Sequence, residues 1–190
     1  MKKTVFKISL LAMLIVILAI SLVGCGKISE DEAKTYIKDL VEKSYDLNDI
    51  YFGKGLDYVD NGNPNDSYMV VSVTERYITK NALIIATRQV FSQTYAQSLI
   101  DGAFSGYGSP INQNSVMSRY SIFDDEGLIY VNKNYEALIE QVRTYNFENI
   151  EITKISRRFV EANIFTENNE KVKVVLVKEN NEWRLDSATY

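Results

Sequence analysis

The sequence predicts an α+β domain, with N-terminal helices packed on a curved antiparallel sheet that ends in a four-strand meander. Three observations predict it. Helical periodicity dominates the chain after an apolar leader, and strand alternation dominates the C-terminal part. Between the alternating runs the tetrapeptide Glu-Asn-Asn-Glu occurs twice, at 167–170 and 179–182, as a hairpin connector.

The leader comes first. Lys2, Lys3 and Lys7 precede 16 uncharged residues, Ile8 to Val23, and small Gly24 follows. That is the layout of a signal peptide over 1–24. The apolar run is short beside the ~20 residues of a spanning helix, although an uncleaved anchor starting near Thr4 is the competing reading. Leu22-Val23-Gly24-Cys25 resembles the lipobox of bacterial lipoproteins, which implies a diacylglyceryl group on Cys25. Two acyl chains suffice for stable anchoring. The expected location is the outer face of a bacterial cell membrane, with residues 25–28 as the lipidated cysteine and its linker, and 29–190 as one domain. At no more than ~3.6 Å per residue, the domain begins within roughly 15 Å of the lipid.

Removing residues 1–24 takes three lysines from a chain of net charge −4 and leaves 166 residues at −7. A domain this acidic is not expected to bind nucleic acid or anionic headgroups. Cys25 is the only cysteine, so no disulfide framework is available. The chain has no histidine, which excludes Ser-His-Asp and Cys-His catalysis and the usual zinc sites. No cofactor is expected.

Ser29-Glu30-Asp31-Glu32 is a capping box that opens a helix. Ala33, Tyr36, Ile37, Leu40, Val41, Leu47, Ile50 and Tyr51 make its apolar face, which runs to Gly53. Asp60 to Asp66 is a turn cluster. It falls short of a calcium loop, with Asn65 at the sixth position and Val71 at the twelfth. Ser67 to Glu75 alternates as a strand with Met69, Val71 and Val73 on one face. Thr79 caps a second helix through Leu83, Ala86, Val90 and Phe91, and Ser92 marks a break before Tyr95, Ala96, Leu99 and Ile100.

Gly102 to Ser118 has three glycines and Pro110 without periodicity, and reads as a loop. Tyr120–Phe123 and Leu128–Val131 read as a hairpin joined by Asp124-Asp125-Glu126-Gly127, and Tyr135 to Val142 as a short helix. Glu148–Ser156, then the runs holding Val160–Ile164, Val172–Leu176 and Trp183–Leu185, complete the meander, one face apolar. Cystatin-like and nuclear-transport-factor-like cones are folds of this kind.

From about Tyr45 to Ser187 the chain also resembles a known family. The residues that carry the likeness are Tyr77-Ile78-Thr79-Lys80, Gln89-Val90-Phe91-Ser92 with Tyr95-Ala96, and Tyr51-Phe52-Gly53. Asp125-Glu126-Gly127-Leu128-Ile129-Tyr130 and the closing Asn181-Glu182-Trp183-Arg184-Leu185 fit the same pattern. They are similar to the IseA family, secreted or lipid-anchored inhibitors of cell-wall DL-endopeptidases. The chain departs from it at Asn132-Lys133-Asn134-Tyr135, where the family tends to have a glycine-containing turn. The resemblance implies a non-enzymatic protein that docks on the NlpC-type catalytic domain of a peptidoglycan hydrolase and blocks its Cys-His cleft.

The expected contacts are Asp124, Asp125 and Glu126 with Tyr107, against the plainer reading of a solvated turn. The alternative function is a small-molecule or surface-ligand-binding lipoprotein without catalytic activity. An enzyme would need a carboxylate with a raised pKa. Asp57, Asp101 and Asp186 are candidates only because they sit near apolar residues, and surface or cap roles explain them more simply.

Overall fold

The computed structural model describes residues 27–106 and 118–190. The leader, Cys25 and Tyr107 lie outside them, as does the stretch 107–117.

Ser29 starts the first helix, α1 (Glu30–Tyr51), by the expected reciprocal bonds: Glu32 N–H donates to Ser29 Oγ at 3.2 Å, and Ser29 N–H donates to Glu32 Oε2 at 2.9 Å. Ala33, Ile37, Leu40, Val41, Leu47 and Ile50 are buried along one face, each large side chain contributing about 1.5–3 kcal/mol. The last turn of α1 has no basic residue of its own. Arg119, far along the chain and 3% exposed, supplies the positive charge there. Its guanidinium donates to the carbonyls of Tyr51 (3.3 Å) and Gly53 and to the Tyr120 hydroxyl (3.3 Å), and the Tyr135 ring lies 5.1 Å away.

Two short helices follow, α2 (Lys80–Val90) and α3 (Gln93–Ser105). Thr79 and Ser92 cap them by accepting from the N–H groups of Ala82 and Tyr95. The third helix runs further than its glycine suggests: Gly102 and Ala103 are buried inside it, and the turn out comes at Gly106, φ 84°. Phe104 against Tyr120, ring centroids 5.6 Å apart, holds this last turn down.

The four-strand meander is as expected. Its strands are β4 (Tyr145–Ile155), β5 (Phe159–Thr166), β6 (Lys171–Glu179) and β7 (Glu182–Leu185), paired antiparallel in that order. Val160, Ala162, Ile164, Val174, Leu176, Trp183 and Leu185 are buried. β4 contacts α1, and β7 contacts both α1 and α2. Register shifts between Asn146 and Glu151, and between Ile152 and Lys154, bulge β4 at the open edge, which bends the strand and blunts it as a pairing template. The chain ends along α1: Asn48 Nδ2 donates to Thr189 Oγ1 at 3.0 Å, Thr189 and Ser44 hydroxyls meet at 2.8 Å, and Ser44 Oγ donates to Val41 O at 2.7 Å.

A second sheet comprises β1 (Tyr68–Val70), β3 (Tyr130–Asn132) and β2 (Tyr120–Ser121), in the order β1-β3-β2. Two expectations fail in and beside it. The strand expected to Glu75 ends near Val71, because the Ser72 hydroxyl meets Thr74 Oγ1 at 2.8 Å and Glu75 N–H returns to Ser72 O at 3.0 Å. This turn leaves Val73 86% exposed rather than beside buried Met69 and Val71. The helix expected over Tyr135–Val142 is absent. Its spacing is helical, but the N–H groups of Leu138 and Ile139 both donate to Phe52 O, at 2.7 and 3.1 Å, an orphan carbonyl past the end of α1. The segment is a pinned loop.

Candidate functional site

The hairpin tip is built from both of its flanks. Gly127 takes φ 73°, a left-handed conformation that closes the turn. Asp124 Oδ1 accepts Leu128 N–H at 3.0 Å, an Asx bond that fixes the carboxylate to the turn's own backbone. Beyond the turn the chain switches partners: Leu128 bridges Thr79, Ile129 N–H donates to Ile78 O at 3.0 Å, and Lys80 N–H donates to Gly127 O at 3.0 Å. The tip is therefore clamped to the N-terminal end of α2. Leu128 and Ile129 do not continue the pairing with Ile122 and Phe123 that the sequence suggests.

Asp125 and Glu126 are exposed and Asp124 is half-buried. Among the described residues, no ion pair involves any of the three. Their charge reaches a neighbour instead. The Tyr130 hydroxyl is pushed above its usual pKa, first by loss of water and then by Asp124 and Glu126. Asp124 Oδ2 nonetheless lacks a well-aligned donor, so its influence on Tyr130 is best described as close electrostatic contact.

Sequence reasoning missed the aromatic neighbourhood of the tip. Phe123 stands edge-on between Tyr68 (centroids 5.5 Å) and Tyr130 (5.0 Å), and is 64% exposed. One signal was available: Tyr68-Met69-Val70-Val71 is apolar on both faces of a strand, where a half-buried strand needs only one.

The three candidate acids are not gathered. Asp57 pairs with Lys54 at 2.8 Å, Asp101 Oδ1 accepts Gln97 Nε2 at 2.8 Å, and Asp186 accepts the Ser92 hydroxyl at the start of α3. These are surface and cap roles. In the 60–66 turn cluster, Asp60, Asn61 and Asn63 accept backbone N–H groups two residues on, and Lys133 Nζ donates to Asn63 O at 3.0 Å. Among the described residues, no group of three acids, histidines or cysteines is placed to hold a metal.

A groove of about 1020 Å³ runs between α1, α2 and β7. Its floor includes Leu47, Ala86 and Val90, and its rim carries the Arg76–Asp46 ion pair (3.7 Å) and the Arg184–Glu182 pair.

No family model matches the chain, and no curated protein matches its sequence. Among the described residues, no helix is long and apolar enough to cross a membrane.

Proposed function

We propose that this is a lipid-anchored extracytoplasmic binding protein that inhibits NlpC-type DL-endopeptidases of the cell wall. One observation carries the reading: a three-carboxylate tip, free of ion pairs among the described residues and clamped to α2 on one side and to its own Asx bond on the other. A loop already held in one conformation spends little entropy on docking. Unpaired carboxylates on an acidic domain favour encounter with a basic partner, raising association rate and orientation more than affinity. The IseA-like residues noted above supply the target class, and the absence of histidine argues for blocking chemistry over performing it.

Crosslinking the full-length protein in its native envelope tests the target. Recovery of an NlpC-type hydrolase through the tip is expected. A tip crosslinker that repeatedly captures no such hydrolase would remove the target class.

A second reading, a small-molecule-binding lipoprotein, rests on the α1–α2–β7 groove and its mixed lining. Saturable quenching of Tyr45 or Tyr77 fluorescence by an amphiphilic ligand, abolished by Ala86→Trp, is its expected signature.

A further inference from the structure

The small sheet has an outer face that nothing in the described structure covers. Val70 lies opposite Tyr130 in the register of β1 and β3. On the other side of β1, Tyr58 bridges Val71 and Val59 N–H donates to Val70 O at 3.0 Å, which sets Val59 opposite Val70. Paired residues share a face, so Val59, Val70 and Tyr130 form one row, and Phe123 and Tyr68 close against Tyr130's end of it. Met69, Val131 and Tyr120 occupy the opposite, buried face. Val59, Val70 and Phe123 are 52%, 36% and 64% exposed. Apolar side chains grouped like this on one sheet face mark an interaction surface more often than scattered ones do.

We propose that this strip is the apolar centre of a docking surface for a protein whose contact patch is aliphatic or aromatic in the middle and bears Arg or Lys at its edge. The proposal rests on the domain being a protein-binding module and names the partner chemistry of that site. Charge selects this occupant. Asp60 follows Val59 at one end of the strip, and Asp124, Asp125 and Glu126 follow Phe123 at the other. None of these four carboxylates has an ion pair among the described residues.

A second copy of the chain would place this acidic rim against itself in an isologous contact, and an anionic lipid surface would be repelled by it. A basic protein surface meets neither obstacle. Phe123 is the natural anchor: two edge-on ring contacts hold it in place before the partner arrives, and aromatic anchors with acidic rims suit guanidinium groups twice over.

Two measurements test this on the mature domain. The first uses a short peptide of alternating arginine and leucine, with a glutamate–leucine peptide as control, and reads amide NMR shifts of the labelled domain. Saturable shifts confined to 59, 68–70 and 121–130, seen only with the arginine peptide, are expected. Shifts elsewhere, or none, overturn the proposal. The second measures binding to a purified NlpC-type endopeptidase. Phe123→Ala is expected to weaken it about 30-fold, as for a hot-spot anchor, and Val59→Ser by less, while Val73→Ala, outside the strip, leaves it unchanged. Equal binding by wild type and Phe123→Ala overturns the surface but leaves the inhibitor reading standing. A positive peptide map without hydrolase binding removes the inhibitor reading and leaves the surface.

Discussion

A Cβ placed on Gly55 would lie 2.5 Å from Nη2 of Arg119, and Gly55 already sits at φ 87°. The two residues define one junction: the chain leaves α1 through a left-handed glycine because a buried guanidinium fills the space beside it. That guanidinium satisfies the carbonyls of Tyr51 and Gly53. Arg119 thus joins the end of α1 to β2 of the small sheet, and hence to the proposed docking face.

Gly55→Ala is expected to destabilise the domain by about 2 kcal/mol or more, from left-handed strain plus displacement of a buried, hydrogen-bonded group. Arg119→Met removes the buried guanidinium that donates to the Tyr51 and Gly53 carbonyls and is expected to cost about 2–4 kcal/mol. In urea unfolding, the double variant should fall well short of the sum, since each change disrupts the same contact. Full additivity would show that the junction is not shared.

The repeated Glu-Asn-Asn-Glu forms two different turns. At 179–182 both Asn180 and Asn181 have positive φ, 48° and 69°, and Glu179 pairs with Glu182, the geometry of a two-residue type I′ hairpin. At 167–170 only Asn169 is left-handed, φ 61°, and Thr166 N–H reaches Glu170 O across a wider loop. Asn180→Val is therefore expected to destabilise by about 1–2 kcal/mol, while Asn168→Val changes little. Thermal melts of the two variants check the asymmetry.

The pair of turns also shows what the sequence made legible. Connector position, strand alternation and both expected helix caps depend on neighbours within a few residues, so Ser29 and Thr79 identified their helices correctly, while Ser92, read only as a break, also caps a helix. The strand expected to Glu75 fails on a local turn at Ser72–Glu75, but the failed helix and the missed junction depend on distant partners. Nothing near Tyr135–Val142 reveals that Phe52 O captures two of its N–H groups, and nothing near Arg119 reveals the end of α1. At the candidate site, the acidic tip was visible as a turn. The aromatic strip was not, because Val59, Val70 and Phe123 become neighbours only through the pairing of three separate segments.

Two carboxyls, exposed Glu32 and half-buried Glu161, set an acid dependence. Glu32 is held below its ordinary pKa of 4.5, chiefly by the Ser29 backbone bond and then by the Ser29 hydroxyl. Glu161 is held below the same value, first by its hydrogen bond to Lys173. A carboxyl with a lowered folded pKa contributes stability that is present above its unfolded value and is lost as pH falls through the folded one. Both Glu32→Gln and Glu161→Gln should therefore melt below wild type at neutral pH. Each gap should close as the pH drops below about 4.5 and through the folded pKa. A gap that persists in acid would assign the effect to shape instead of charge.

Thr189 is fully buried between Ser44 and Asn48, and its hydroxyl links the two. Thr189→Val keeps the volume and removes the hydroxyl, leaving Asn48 Nδ2 with the Thr189 carbonyl at 3.1 Å and the Ser44 hydroxyl at 3.4 Å. The expected loss is about 1–3 kcal/mol in urea unfolding. Tyr190, stacked on Phe52 at 3.7 Å, should then become more mobile, which a rise in its fluorescence anisotropy decay rate would register.

The central claim is that this domain restrains a wall hydrolase through its acidic tip. Its most direct measurement is the rate of peptidoglycan cleavage by a purified NlpC-type DL-endopeptidase with the α+β domain added, alongside an Asp125→Lys/Glu126→Lys variant. The account predicts slowed cleavage with the wild-type domain and substantially restored cleavage with the charge-reversed tip. Cleavage that is unaffected by saturating wild-type domain would contradict it.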